Sequence, residues 1–389
     1  MGLLDLRLSR AAAEPVRRGH PWVFREKLER APTLRDGDEV RLVVDGATVG
    51  RGLATAEGPI AVRVWTHDDQ PVSRALFVER VKAAVQLRAR WFDDVHTTAY
   101  RVLHGEGDRM PGVVVDRYAS VAVLVVDDAS ARAHLDALVE AIWGELEPRG
   151  VRTLLLRTRE RGGPKVIERL RGEDAPSRVS VREHDVPFVV DIEHGQKTGA
   201  FLDQRENRRR VGELASGQRV LNLFSYAGGF SLHAARGGAV RVTSVDVAAP
   251  AHASAQESFK LAGHDPSAHE FVTQDAFAFL EQAARRGARW DVVISDPPSF
   301  APNKKAVPNA LAAYRKLHRL CVSVLAPGGL FCAGSCSSHV DAAMFAATLD
   351  DAAVGSGSLR MLALHGPPID HPTLPAWPEG RYLKFAILG

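Results

Sequence analysis

From residue 180 onward the chain alternates, over about 200 residues, between short apolar runs and helix-forming stretches. This constrains the fold more than any other feature. The runs end at Phe224, Asp246, Asp275 and Asp296, and another covers Gly329–Ser335. Strands that are apolar on both faces and separated by helical segments demand a parallel sheet with helices on each side. An α/β fold with a doubly wound sheet is therefore expected over 180–389. Sheets of this kind bind ligands at the carboxyl ends of their strands, which is where chemistry is sought.

The 389 residues suffice for two or three domains. Residues 1–74 read as a small β domain, with alternating runs at Glu39–Val44 and Ile60–Trp65 bounded by Asp/Gly turns. Residues 75–179 read as a compact α+β unit. Ser73-Arg74-Ala75 opens a helix carrying Phe77, Val81, Ala84, Val85 and Phe92, and strands, a helix from about Ser130 to Leu146 and a strand at Arg152–Arg157 follow. Loops are expected at Arg161–Pro164 and Gly172–Pro176. With 45% hydrophobic and 25% charged residues, collagen-like, coiled-coil and wholly disordered readings are excluded. Three cysteines, Cys321, Cys332 and Cys336, cannot build a disulfide framework or a four-thiolate zinc site, and no metal is expected. No apolar run approaches a membrane span, and the first twenty residues lack the apolar block of a secretory signal. A soluble, cytoplasmic protein is expected.

The strongest local signal lies in residues 219–246. Arg219–Phe224 reads as a buried strand, and Ser225-Tyr226-Ala227-Gly228-Gly229-Phe230 as a turn into a helix. Glycines there let backbone approach a ligand where a Cβ would clash. Eighteen positions beyond Gly228 the next strand ends in Asp246, placed to accept from ribose hydroxyls. Asp275 could accept from an adenine amino group. Each acid alone reads equally well as a helix cap; three at successive strand ends favour a nucleoside. The turn lacks the spaced G-x-G-x-x-G that meets a pyrophosphate, which argues against a nicotinamide cofactor. A ligand with ribose and adenine but no phosphate, such as S-adenosylmethionine, fits better.

Asp291–Ser295 runs into Asp296-Pro297-Pro298-Ser299-Phe300. Prolines fix φ and lack an N–H, so this end offers rigid carbonyls and an acid to the exocyclic amine of a base, with Phe300 available to stack. The blander reading is a stop signal after a core strand. Cys332 and Cys321 read as small core residues. Cys336 lies past its strand's end among small polar residues, where a thiol can meet a substrate. Shared metal binding by Cys332 and Cys336 is disfavoured, since in an extended chain they stand roughly 13 Å apart.

These motifs resemble the ribosomal RNA large-subunit methyltransferase I family. The resemblance is carried by Gly195–Arg208, Asn222–Gly229, Asp296–Phe300, Ser335–Ser337 and Gly105–Gly112, and it runs from Gly19–Phe24 to Arg381–Phe385. It implies an N-terminal PUA domain, a central α+β domain and a C-terminal class I (Rossmann-like) methyltransferase domain. The implied activity is S-adenosylmethionine-dependent methylation of cytosine C5 in large-subunit (23S) ribosomal RNA. By motif, Phe224, Ser225, Tyr226, Gly228, Asp246, Asp275, Ala276 and Asp296 would line the cofactor, with Gln196 and Thr198 closing over it. Cys336 would be the nucleophile and Asp296 would hold the base. Ala227 stands where the family more often has Thr.

The expected partner is ribosomal RNA, with no membrane and no metal; a homodimer is compatible with the sequence. Phosphate contacts are expected from two clusters. One is Arg152, Arg157, Arg159, Arg161, Lys165, Arg169, Arg171, Arg178 and Arg182; the other is Arg205, Arg208, Arg209 and Arg210. The net charge of +3 points to a bounded patch rather than a basic protein throughout. Two alternatives stay open: a ribosomal RNA guanine N7 methyltransferase that needs no thiol, and a non-catalytic RNA-binding assembly factor.

Overall fold

In the computed structural model, which describes residues 3–28, 33–159, 165–356 and 359–389, the N-terminal alternating runs become strands Glu39–Val44 and Ile60–Thr66. They belong to a five-stranded sheet ordered Leu4–Arg7, Glu39–Val44, Ala47–Ala54, Ile60–Thr66, Trp22–Phe24. Asp45 and Gly46, both left-handed (φ 52° and 83°), make the tight turn that sets the hairpin register. The inward residues, among them Leu6, Val16, Val40, Leu42 and Val62, form one core.

A second five-stranded sheet is ordered Lys165–Gly172, Thr153–Arg159, Val121–Val126, Val113–Tyr118, Ala99–His104. Helix Arg74–Arg88, capped by Ser73, packs on it. That helix stops short of Phe92, whose ring instead stacks on Tyr100 at 4.4 Å. The helix expected from Ser130 to Leu146 is two helices, Ala129–Arg132 and Leu135–Leu146. His134 breaks it: its backbone leaves the helical region, and its ring sits 3.1 Å from the Gly37 carbonyl. The loop expected at Arg161–Pro164 lies outside the described residues.

The chain divides into two units that do not follow its order. The first holds Met1–Val179, Ile192–Ala200 and Ile369–Gly380; the second holds Ser180–Asp191, Phe201–Pro368 and Arg381–Gly389. Within the first unit the fully buried Arg88 makes a two-pronged bond to Asp108 (2.6 and 2.7 Å) and donates to the Asp370 carbonyl. The Asp370 carboxylate in turn accepts the Arg101 N–H.

The second unit is built on seven strands: β1 Arg219–Leu223, β2 Arg241–Asp246, β3 Glu270–Thr273, β4 Trp290–Ser295, β5 Leu325–Ser335, β6 Met361–His365 and β7 Lys384–Leu388. Their helices are α1 Arg205–Leu214, α2 Gly229–Arg236, α3 Ala249–Leu261, α4 Ala276–Arg285, α5 Val307–Ser323 and α6 Ala342–Ser356. The spatial order is 3-2-1-4-5-7-6. β1 to β5 are mutually parallel, and β7 runs antiparallel to β5. Two cores result, one on each face. One contains Leu221, Val293, Tyr314, Cys321 and Phe331; the other contains Val220, Phe230, Ile294, Cys332 and Phe385. The alternation along each strand divides its residues between the two, as period two requires.

Candidate active site

The chain leaves β1 through a turn of unusual backbone. Phe224, Tyr226 and Gly228 are all left-handed, with φ of 56°, 46° and 73°. For two aromatic residues that conformation costs on the order of 1–3 kcal/mol each, and it persists only where neighbours enforce it. Asp246, at the end of β2, does so: its Oδ2 accepts the Tyr226 N–H (2.8 Å) and its Oδ1 the Ala248 N–H (2.9 Å). The Ser225 N–H is held by the Val245 carbonyl at 3.0 Å. Beneath the turn, Asn222 donates to Ser231, and the Ser231 and Ser244 hydroxyls share a hydrogen bond, tying β1, α2 and β2 together.

The glycines of this turn are also demanded by packing within the protein. A Cβ on Gly228 would lie 2.8 Å from the Ala255 Cβ of α3, and one on Gly229 would lie 2.8 Å from Arg208 Cδ. Packing of the protein against itself demands both. Arg208 is buried; it makes a two-pronged bond to Glu183 (2.9 and 2.5 Å) and donates to the Phe201 carbonyl. Burial alone would raise the Glu183 carboxyl, but the charge and hydrogen bonds of Arg208 together with His233 outweigh it, and the group sits at about 2.

Asp275 does not end a strand. β3 stops at Thr273, and Asp275 is the exposed N-cap of α4, accepting the Ala278 N–H at 2.9 Å. One of its oxygens is thereby committed to the helix. Ala276 is buried as the first residue of that helix. Gln196 and Thr198 belong to the first unit. There the Thr198 hydroxyl donates to Asp116 and is hydrogen-bonded to Tyr118.

Asp296 and Cys336 come to the same end of the sheet. Ser295 of β4 pairs with Ala333 of β5, so Asp296 stands level with Gly334, two residues before Cys336. Gly334 is required there: a Cβ would lie 2.5 Å from an Asp296 carboxylate oxygen. Both Asp296 and Cys336 are half-buried, whereas Cys321 and Cys332 are fully buried and burial pushes the Cys332 thiol up to about 12. The residues flanking Cys336 are fixed from α5. The Tyr314 hydroxyl bonds to Ser335 Oγ (2.9 Å) and Ser337 Oγ (3.1 Å), and Ser337 Oγ also meets Ser299 Oγ at 3.0 Å. Phe300 is not left open for stacking; its ring packs on Tyr314 at 4.9 Å.

Much of the basic surface expected from the sequence is otherwise engaged. Arg157 is buried and donates to the Glu193 and Gly195 carbonyls, because main-chain oxygens satisfy a guanidinium as well as phosphate would. Arg205 and Arg208 are buried, and Arg209 pairs with Glu206 and Glu213. Arg169 and Arg171 face solvent but pair with Asp174 and Glu140. Arg152 and Arg182 are exposed. Arg161 and the side chains of Arg159 and Lys165 lie outside the described residues. Among the described residues no three His, Cys, Asp or Glu side chains are placed to hold a metal ion. Among the described residues no helix is long and apolar enough to cross a membrane.

The strand order 3-2-1-4-5-7-6 with a reversed seventh strand, and an acid at the end of β2 gripping the turn after β1, define a class I methyltransferase. A family profile for S-adenosylmethionine-dependent methyltransferases matches residues 129–376, and one for PUA-like domains matches residues 6–67. The chain is 36% identical to the ribosomal RNA large subunit methyltransferase I of Photobacterium profundum, covering 97% of each chain. It is 38% identical to a ribosomal RNA large subunit methyltransferase of Deinococcus radiodurans, covering 99% of this chain and 97% of that one. The crystal structure of SMU.776 complexed with SAH superimposes with a TM-score of 0.90 at 26% identity, covering 99% of this chain and 100% of that one. The chain belongs to the ribosomal RNA large subunit methyltransferase I family.

The second unit's own chemistry suits the family's cofactor. Ser225 Oγ is buried without a hydrogen-bond partner among the described residues, directly in the strained turn. A buried hydroxyl left in that state is stabilised by a polar ligand. Each Asp246 oxygen, having accepted one backbone N–H, retains a lone pair for a ribose hydroxyl.

Proposed function

We propose that this protein methylates C5 of a cytosine in large-subunit ribosomal RNA, with Cys336 as nucleophile. The observation that carries the reading is the convergence of Cys336 with Asp296 at the carboxyl ends of adjacent strands, the thiol half-buried while the other two are sealed in the cores. Methylation of guanine N7 needs no thiol, and a binding module has no use for one there.

S-adenosylmethionine supplies an electrophilic methyl group. The protein's part begins with Asp246, which accepts the ribose hydroxyls, and Ser225, which offers its unpaired hydroxyl; Asp275 keeps one carboxylate oxygen for the adenine amine. Asp296 accepts the exocyclic amine of the target base and fixes its ring. C5 of cytosine is a weak nucleophile, so the Cys336 thiolate adds to C6, which makes C5 enamine-like and able to take the methyl group. Loss of the C5 proton then expels the thiolate and restores the aromatic ring. A base paired in a helix cannot reach this pocket, so the target is single-stranded or flipped out. The PUA-like segment and exposed cations such as Arg152 and Arg182 hold the RNA backbone.

Mass mapping of nucleosides in large-subunit ribosomal RNA treated with protein and cofactor tests the reading. It is expected to show 5-methylcytidine; 7-methylguanosine in its place would overturn it. The cofactor site has its own test. Asp246→Ala removes the anchor of the Tyr226 turn as well as the ribose acceptor, and is expected to weaken S-adenosylmethionine binding by about 1–3 kcal/mol. By calorimetry that is a loss of roughly 5- to 150-fold in Kd. Unchanged affinity in the folded variant would remove Asp246 from the pocket.

A further inference from the structure

Lys384 is a buried cation on a strand whose other side chains are all apolar. It opens β7, pairs across the ladder with Ser335, and is 3% exposed. Its neighbours on β7, Phe385 to Leu388, all belong to the cores or are buried with them. A lysine in such a place is costly unless its ammonium serves something. Two of its three N–H groups donate to main chain: to the Ser337 carbonyl at 2.6 Å and to the Tyr382 carbonyl at 2.7 Å. The first of these is the residue directly after Cys336. The third N–H has no partner among the described residues. Among the described residues no carboxylate is within salt-bridge distance of this cation, so none neutralises its charge in a direct ion pair.

The groups around it explain what the charge faces. Cys336 follows the paired Ser335, Tyr314 reaches Ser335 and Ser337 from α5, Asp296 stands at the end of β4, and Asp341 caps α6. His339 is the remaining titratable side chain of the Ser337–Val340 turn. Burial pushes the Lys384 ammonium down to about 8, while Cys336 and Asp341 pull it the other way. At neutral pH the lysine thus retains its proton.

We propose that Lys384 is the counter-charge of Cys336: a positioning residue that holds the Cys336 loop by the Ser337 carbonyl and stabilises the thiolate with its ammonium. The sulfur gives its proton to solvent, and the lysine keeps all three of its own through the addition to C6 and the later elimination. Only the thiolate is a competent nucleophile, so the charge sets the pH range in which the enzyme can begin. The proposal rests on Cys336 as the nucleophile.

Its test needs neither RNA nor cofactor. The full chain is alkylated with iodoacetamide across pH 5.5–10, and modification of the Cys336 peptide is followed by mass spectrometry; the other two thiols are buried. In Lys384→Met the midpoint of the alkylation profile is expected to rise by about one pH unit, the lower end of what one nearby opposite charge produces. The rate at pH 7 falls roughly tenfold with it. Lys384→Gln keeps a donor for the Ser337 carbonyl without the charge, and Lys384→Arg keeps the charge. Arginine is expected to restore the wild-type midpoint and glutamine to behave like methionine; these two decide the matter even where the methionine variant does not fold. Rescue by glutamine, or one midpoint shared by all folded variants, would overturn the proposal. An active Cys336→Ala enzyme would instead remove the nucleophile and leave the alkylation result standing as a fact about the thiol.

Discussion

Cys336→Ala is expected to fold, to bind S-adenosylmethionine with wild-type affinity, and to transfer no methyl group to cytosine. The thiol acts on the base alone, so its loss leaves the turn after β1 and the Asp246 contacts intact. No other thiol can substitute, since Cys321 and Cys332 are fully buried. Cys332→Ala costs core packing and leaves turnover in place. RNA carrying 5-fluorocytosine at the target lacks the proton that must leave C5, so the sulfur–C6 bond persists, and a complex that survives denaturation is expected to form through Cys336. Turnover by Cys336→Ala at the wild-type rate would rule out the covalent route and favour direct transfer to a ring nitrogen.

Arg208→Met is the variant expected to damage stability most. It leaves Glu183, which is 1% exposed, as a buried carboxylate with only His233, at 3.5 Å, in place of a two-pronged arginine. Removing one partner of a buried ion pair typically costs about 3–5 kcal/mol. The pH dependence identifies the cause. In the wild type, the Glu183 carboxyl is at about 2 in the folded chain against an ordinary value of 4.5. Its contribution to stability is therefore complete above about 4.5 and is lost as pH falls through about 2. Without Arg208, burial is opposed only by His233, whose own burial disfavours its charged form, and the carboxyl is expected to rise above its ordinary value. The sign then reverses: the variant is most stable below about 4.5 and loses stability as pH rises. Denaturant titrations at pH 4 and pH 7 separate the two cases. A variant that gains stability between those values as the wild type does would show that Glu183 has found another cation.

The doubly wound sheet is legible because its central strands are short, mostly apolar runs set between helix-forming stretches, two of them closed by an acid. Asp246 and Asp296 announce themselves in the same way, as charges at the ends of runs that tolerate none. Other features leave no such mark. The left-handed Phe224 and Tyr226 are invisible in sequence, since aromatic residues carry no preference for positive φ and the strain is sustained by Asp246, about twenty positions on. Arg157 and Arg208 look like surface cations because their partners are main-chain carbonyls or an acid 25 positions away. Lys384 leaves no mark for the opposite reason: one charge at the start of Lys-Phe-Ala-Ile-Leu cannot be told from the solvated end of a strand. Asp275 shows how one residue type serves two signals, because an acid after an apolar run is also what opens a helix.

The polypeptide passes from one unit to the other five times, at 179/180, 191/192, 200/201, 368/369 and 380/381. During synthesis this sets a schedule. Arg88 emerges from the ribosome 282 residues ahead of Asp370, whose carbonyl it needs once buried. At about 5–20 residues per second that is a wait of roughly 15–55 s. β7, with Lys384, arrives later still, so the loop after Cys336 lacks its ammonium until about fifty more residues have been made. A ribosome that stops before residue 369 therefore releases a chain in which both units are unfinished, not one complete unit trailing a partial second.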